Sequence, residues 1–268
     1  MSERRTITGF SNPTVKFLRS LREKKFRKLE GKFLAEGLRL LTDARTSGKL
    51  PEILVMATSR EAHPLLDALE TEVLAAGGDV IEMDEDILAK VTGKDNPQAV
   101  AGVFAEFDTS LAGIHRDTAK IWLVAQALRD PGNLGTMLRT GDAVGAGGLI
   151  LLDDCADPFS AEAVRASMGA IFTQKIARAS WDEFLPWLRQ GSGQLVAASL
   201  RDATDYRGAA YQAPCFLLVG NESRGLPEAY EDACDLRVTI PMKGSADSLN
   251  AAVAAAVLAY EALAALDR

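Results

Sequence analysis

Histidine is scarce in this 268-residue sequence, cysteine is few, and no long apolar run occurs. Each scarcity removes a class of chemistry. His63 stands before a proline at an expected helix start and His115 lies in a polar stretch, so neither a His-dependent triad nor a multi-His metal site is expected. Cys155, Cys215 and Cys234 include no CxxC pair and sit mostly in apolar surroundings. That supports neither a disulfide framework nor a zinc site, and a reducing cytoplasm is the expected location. The first residues lack the apolar stretch of a signal peptide, and no run reaches the roughly 20 apolar residues of a membrane span. The most apolar tract, Ala251 to Leu266, carries one charge at Glu261 and suits a buried or interface helix of about four turns. A GxxxxGK[ST] loop and a dinucleotide glycine fingerprint are both missing.

Against these absences stand 47% hydrophobic residues, enough for two modest domains with real cores. The charge is unevenly spread. Residues 1–32 hold ten Lys/Arg against three Glu, a local +7 in a chain of net −7, so the remainder sums to −14. Lys16, Arg19, Lys24, Lys25, Arg27 and Lys28 interleave with Phe17, Leu18, Leu21 and Phe26 at helix-like spacing. An amphipathic helix with one packed face and one phosphate-contacting face is expected, with those six cations as RNA-binding candidates. A solvated helix face would look the same.

Apolar and amphipathic stretches then alternate. Helices are expected over Glu36 to Thr46, Glu61 to Ala75 and Glu85 to Val91, and strands over Glu52 to Ala57, Val80 to Met83 and Ala99 to Phe104. This forms an α/β unit ending near Phe107. The polar stretch 108–120 is the linker candidate. Beyond it, strands near Ile121 to Ala125, Gly148 to Leu152, Gln174 to Ala177, Gln194 to Ser199, Phe216 to Val219 and Arg237 to Ile240 alternate with helices. That pattern is expected to give a mostly parallel sheet covered on both faces.

Three segments carry the candidate chemistry. "LRDPGNLGTMLRTGDAVGAGG" follows an apolar strand and runs into a helix expected at Gly135 to Val144. Such a turn can hold a phosphate on backbone N–H groups, though ordinary helix capping explains the same residues. "FLLVGNESRGLPEAY" places Asn221 and Glu222 just past a strand end, where ligands of open α/β sheets gather. "VTIPMKGSADSLNAAVAAAVLAYEAL" runs strand, Pro, Gly loop and helix, with Ser248 and Asn250 at the helix start. Asn133, Arg139, Glu222, Ser248 and Asn250 therefore fall at strand-to-helix turns, a set suited to positioning a hydroxyl and a phosphate.

In order and spacing these segments resemble the three motifs of the SpoU (TrmH) family of SPOUT RNA methyltransferases. NxGxxxR is met by Asn133, Gly135 and Arg139, GNExxGL by Gly220 to Leu226, and IPMxGxxxSLN by Ile240 to Asn250. The chain departs where Ser223 replaces a common Gly and where Ala251 and Ala252 replace Val and Ser. The resemblance covers about residues 119–268. The opening "SNPTVKFLRSLREKKFRKLEGKFLAEG" is similar to the family's L30e-like substrate-binding domain, especially in the 23S rRNA branch.

The resemblance implies domains at 1–107 and 121–268, a C-terminal trefoil knot, S-adenosyl-L-methionine as methyl donor, an RNA partner and a homodimer whose active site draws on both subunits. It implies Asn133, Arg139, Glu222, Ser248 and Asn250 as the catalytic group. Ser199, Leu200, Val219, Gly220, Asn221, Ile240, Met242 and Leu249 would form the donor pocket. Arg139 is the implied base, but a guanidinium with pKa above about 12 suits a phosphate clamp equally well. Methylation of a ribose 2'-OH, in 23S rRNA before tRNA, is the expected function. A non-catalytic RNA-binding or ribosome-assembly protein of the same fold is the alternative, and a nucleotide-dependent oxidoreductase lacks its glycine fingerprint.

Overall fold

The computed structural model describes residues 4–245 and 247–268, and its contacts divide the chain into two compact units. One is Met1–Phe107 with Asp157–Thr173, the other Asp108–Ala156 with Gln174–Arg268. The first unit is thus discontinuous in sequence, where a continuous one ending near Phe107 is expected.

The first unit holds β1 (Arg4–Ile7), α1 (Pro13–Ser20), α2 (Lys24–Glu30), β2 (Lys32–Glu36), α3 (Leu38–Thr46), β3 (Ile53–Ala57), α4 (Pro64–Ala75), β4 (Asp79–Met83), α5 (Glu85–Thr92) and β5 (Val100–Ala105). Its sheet runs β1-β4-β3-β5-β2, with β1, β4 and β3 parallel and β5 antiparallel to both β3 and β2. The expected single basic helix is instead a strand and two short helices. Asn12 caps α1 by accepting from the Thr14 N–H at 2.8 Å, Pro13 opens that helix, and Gly31 closes α2 at φ +61°.

Arg27 is not one of the solvent-facing cations expected from the sequence. It is only 3% exposed, its Nη2 lies 2.7 Å from Asp157 Oδ2, and its Nη1 donates to the Leu21 and Arg22 carbonyls at 2.9 and 2.7 Å. Asp157 begins the later segment of the unit. That segment also brings Phe159 and Phe172 against Phe33, Phe104 and Phe107 in one aromatic cluster. Apolar burial draws it in.

The second unit holds β6 (Ile121–Gln126), α6 (Pro131–Ala143), β7 (Gly148–Leu152), β8 (Lys175–Ala179), α8 (Trp181–Arg189), β9 (Gln194–Ala198), β10 (Thr204–Asp205), β11 (Cys215–Val219), α9 (Glu228–Asp232), β12 (Leu236–Thr239) and α10 (Ala251–Leu266); α7 (Ala161–Ala166) sits in the first unit's later segment. Its seven strands are all parallel, in the order β10-β12-β9-β11-β6-β7-β8. Every residue of β6, β7 and β11 is buried, as a sheet covered on both faces requires. Stretch 108–120, expected as a linker, is packed here: Arg116 donates to the Leu188 and Trp187 carbonyls at 2.9 and 2.7 Å and stacks on the Trp187 ring. From β6 the chain moves outward through β7 and β8, then returns on the far side through β9, so strand order reverses between β6 and β11. Beyond the carboxyl ends of strands at such a reversal an open α/β sheet has its crevice.

Candidate active site

Parallel strands send all their following loops to one edge, and the loops after β9, β11 and β12 there enclose a cavity of about 520 Å3. Leu200, Val219, Ile240, Met242 and Leu249 supply apolar wall, while Gly220, Asn221 and Ser199 bring backbone and small polar groups. Size and lining suit a drug-sized ligand with a flat apolar part and a few polar anchors. All eight residues expected in a donor pocket line it, as do Glu222 and Ser248. Asn133 and Arg139 do not line it.

Glycine shapes the β11 loop. Asn221 and Gly225 form a backbone bridge, with the Asn221 N–H donating at 3.2 Å and the Gly225 N–H at 2.9 Å. A Cβ on Gly220 would lie 2.4 Å from the Gly225 carbonyl carbon, so only glycine permits this fold-back. Gly225 takes φ +68°. Ser223, where the family often has Gly, is exposed and has room for its side chain.

The loop aims Glu222 at the start of α6. Asn133 Nδ2 donates to Glu222 Oε1 at 3.1 Å, and the Asp130 and Arg129 N–H groups donate to its two oxygens at 3.3 and 3.4 Å. Asn250 Nδ2 donates in turn to Asn133 Oδ1 at 2.8 Å. Asn250 Oδ1 is occupied as the cap of α10, accepting from the Ala252 and Val253 N–H groups at 2.9 and 3.2 Å. That fixes the amide orientation along the row: Asn250 must donate, Asn133 accepts and passes a donor on, and the carboxylate accepts last. Burial pushes the Glu222 carboxyl up, but its own N–H, Asn133, Arg129 and Asp130 outweigh it, and its pKa lies below the ordinary carboxylate value. Residues 89 and 117 positions apart thus share one polar row.

Arg139 stands apart. It is exposed on α6, and its side chain makes no hydrogen bond or ion pair with any described residue. Six positions beyond Asn133 at about 100° each, it faces roughly 120° away around the helix. Ser248 reaches the cavity wall, and Ala246 beside it lies outside the described residues. On the first unit, Lys16, Arg19, Lys24, Lys25 and Lys28 are exposed.

Among the cavity residues that the sequence did not single out are Glu231 and Arg201. Glu231 on α9 is 9% exposed and accepts from Ser199 Oγ at 2.5 Å, and Arg201 lies 3.5 Å from its other oxygen. Glu231 sits among Glu228, Asp232 and Asp235 in a run that reads as a solvated acidic face, so nothing in the sequence distinguishes it. The thiols stay protonated: burial pushes Cys155 up to about 11 and both Cys215 and Cys234 to about 12. Among the described residues, no helix is long and apolar enough to cross a membrane.

Known families match both parts of the chain. Residues 120–260 match the SpoU rRNA Methylase family, and residues 12–102 match the MRM3-like substrate binding domain. The chain is 32% identical to the 23S rRNA (guanosine(2553)-2'-O)-methyltransferase RlmP of Bacillus subtilis over 95% of this chain and 97% of that one. It is 34% identical to a 23S rRNA (uridine(2479)-2'-O)-methyltransferase of Streptomyces viridochromogenes over 87% and 83%. The structure of an AdoMet-bound rRNA methyltransferase from Sinorhizobium meliloti superposes with a TM-score of 0.90 at 40% identity, covering 97% of both chains.

Proposed function

The chain belongs to the SpoU rRNA methylase family, and from that membership we propose that it transfers a methyl group from S-adenosylmethionine to a ribose 2'-OH of ribosomal RNA, 23S rRNA being the expected target. The observation that carries the proposal is the polar row Asn250–Asn133–Glu222 beside the cavity formed by the β9, β11 and β12 loops. That row joins all three motif segments at one point.

When bound, the donor would supply an electrophilic methyl on a sulfonium, which the 2'-oxygen would take as the neutral thioether leaves and the hydroxyl proton passes to water. The chain's own residues must align and anchor. Leu200, Ile240, Met242 and Leu249 cover apolar faces, and backbone around Ser199, Val219, Gly220 and Asn221 offers the polar anchors. Glu222, held ionised, complements positive charge near the methyl. Asn133, Asn250 and Ser248 orient the ribose. Arg139 clamps a phosphate and stabilises the developing oxyanion rather than taking the proton, because a guanidinium is a poor base at neutral pH.

Since Arg139 turns away from its own row, it serves a site composed with a second copy of the chain. A homodimer through the second unit is supported by α10, whose outer stripe Val253, Ala256, Val257 and Tyr260 leaves Val253 47% and Tyr260 56% exposed. The first unit binds the RNA. A cytoplasmic location follows from the substrate.

The test is a map of 2'-O-methylation across total RNA from cells with and without the gene, together with calorimetry of the purified chain against S-adenosylmethionine. One ribose losing its methyl, and saturable donor binding, is the expected result. Identical maps and no heat of binding would overturn the proposal.

A further inference from the structure

Within the first unit a groove of about 600 Å3 lies between α1 and the C-terminal turn of α5. We propose that it binds an unpaired nucleotide of the RNA substrate, stacking the base on Phe10 and taking the flanking phosphates on Arg19, Arg22 and Lys90. The inference rests on the RNA reading above and goes beyond it by assigning the place and the form of RNA bound.

Phe10 is 52% exposed at the groove, in the turn that precedes α1. A large aromatic ring left to solvent beside cations offers nothing to a closed duplex, whose bases are already stacked. It offers a face to a base that is not. Arg19 lies in the last turn of α1 and Arg22 just beyond that helix's C-cap, Leu21. Lys90 lies in the last turn of α5. None of these three side chains makes a hydrogen bond or an ion pair with any described residue, so their donors are uncommitted.

Arg22 is held in place without its donors being used. Its guanidinium lies so close over Gly93 that a Cβ there would sit 2.1 Å from Cζ. Gly93 closes α5 at φ +71°, where the partial negative charge of the helix end favours a cation. A glycine is thus required twice, for its left-handed backbone and for the guanidinium laid across it. Lys94 also lines the groove but is paired with Glu36. Asp86 and Asp95 line it too, leaving the cations in excess. A second hollow shares Arg19 and Arg22 with the groove and is lined also by Lys16 and Glu23, so Lys16 gives a neighbouring phosphate a further partner. An acidic peptide would engage the cations with no use for Phe10, and this separates it from RNA in the test.

The test measures binding of the full-length protein to a fluorescent single-stranded oligoribonucleotide, and to a duplex of equal length, through a salt titration. Phe10→Ala should weaken single-strand binding roughly 5-fold or more while Phe10→Trp retains it. Arg19→Gln with Lys90→Gln should flatten the salt slope by roughly 0.7 per cation removed. Both should raise the KM for RNA and leave kcat and donor affinity near wild type, with unchanged thermal midpoints. Lys24→Gln with Lys25→Gln and Lys28→Gln, on α2, is the comparison. If the α2 variant loses affinity while the groove variants bind like wild type, the groove is overturned; if the cation variants weaken binding but Phe10→Ala does not, the stacked nucleotide is. A wild-type protein that methylates no RNA would instead sink the functional reading itself.

Discussion

Replacing Arg27 by methionine should cost the protein about 3–5 kcal/mol, because it breaks a buried ion pair by removing one partner. The geometry places the value there. Arg27 is 3% and Asp157 8% exposed, the guanidinium approaches Asp157 Oδ2 through both Nε and Nη2 at 3.2 and 2.7 Å, and Nη1 answers two backbone carbonyls that would also lose their donor. Urea denaturation followed by far-UV circular dichroism should show the first unit's midpoint falling by roughly 1 M or more at the m-values usual for small proteins. The double variant Arg27→Met with Asp157→Leu should recover most of the loss, since apolar groups of similar volume replace a buried pair at little cost. The opposite pattern is equally clear. An Arg27→Met protein as stable as wild type, with weaker RNA binding and a salt slope reduced by about one, would make Arg27 the phosphate contact expected from the sequence and refute the buried pair.

Other consequences follow from the second unit. Gly220→Ala forces a Cβ to within 2.4 Å of the Gly225 carbonyl carbon, so the β11 loop must open; donor binding by calorimetry should fall at least 10-fold, and undiminished binding would exclude that loop from the pocket. Asn133→Ala removes the middle of the Asn250–Asn133–Glu222 row, and turnover should fall by about 100-fold while the thermal midpoint moves little. For Glu222, whose folded pKa lies below its unfolded value, the stabilising contribution is present above the unfolded carboxylate pKa near about 4.3 and is lost as pH falls through the depressed one. The Asn133 side-chain amide resonance should therefore hold its position on acidification through about pH 4.3 and shift only below it. Glu222→Gln should abolish that transition, and a wild-type midpoint above the ordinary carboxylate range would contradict the hydrogen-bonded arrangement.

Much of the fold could be read from one dimension because the second unit's strands are buried on both faces. Such strands appear as unbroken apolar runs, and Gly148–Leu152 is observed at the expected bounds. The N-terminal stretch defeated the same reasoning. Its cations and apolar residues fall at helical spacing through two turns that no periodicity marks, and the pattern cannot tell a cation that faces water from one, Arg27, whose partner is 130 positions away. The site divides similarly. Motif residues at strand ends were visible as types, but the row that joins Asn250 to Asn133 and Glu222 depends on which strands are neighbours, and Glu231 was hidden among exposed acids.

The least legible feature is the segment Asp157–Thr173, which lies between two strands of one sheet and fills the core of the other unit. Its apolar residues would satisfy either core. What decides is volume: Phe33, Phe104 and Phe107 leave rings uncovered that Phe159 and Phe172 complete, with centroids 4.8 to 6.2 Å apart. A fragment of residues 1–107 therefore lacks part of its own core and also leaves Arg27 without its carboxylate. Each buried phenylalanine contributes roughly 1.5–3 kcal/mol, so losing two of them with the ion pair removes a large share of the 5–15 kcal/mol that holds a domain folded. Residues 1–107 alone should show poor amide dispersion by NMR and bind the dye ANS, and a peptide of residues 157–173 added in excess should restore dispersion. A fragment that folds cooperatively without the peptide would mean the first unit owes that segment nothing, and the contact between Arg27 and Asp157 would then be incidental to its stability.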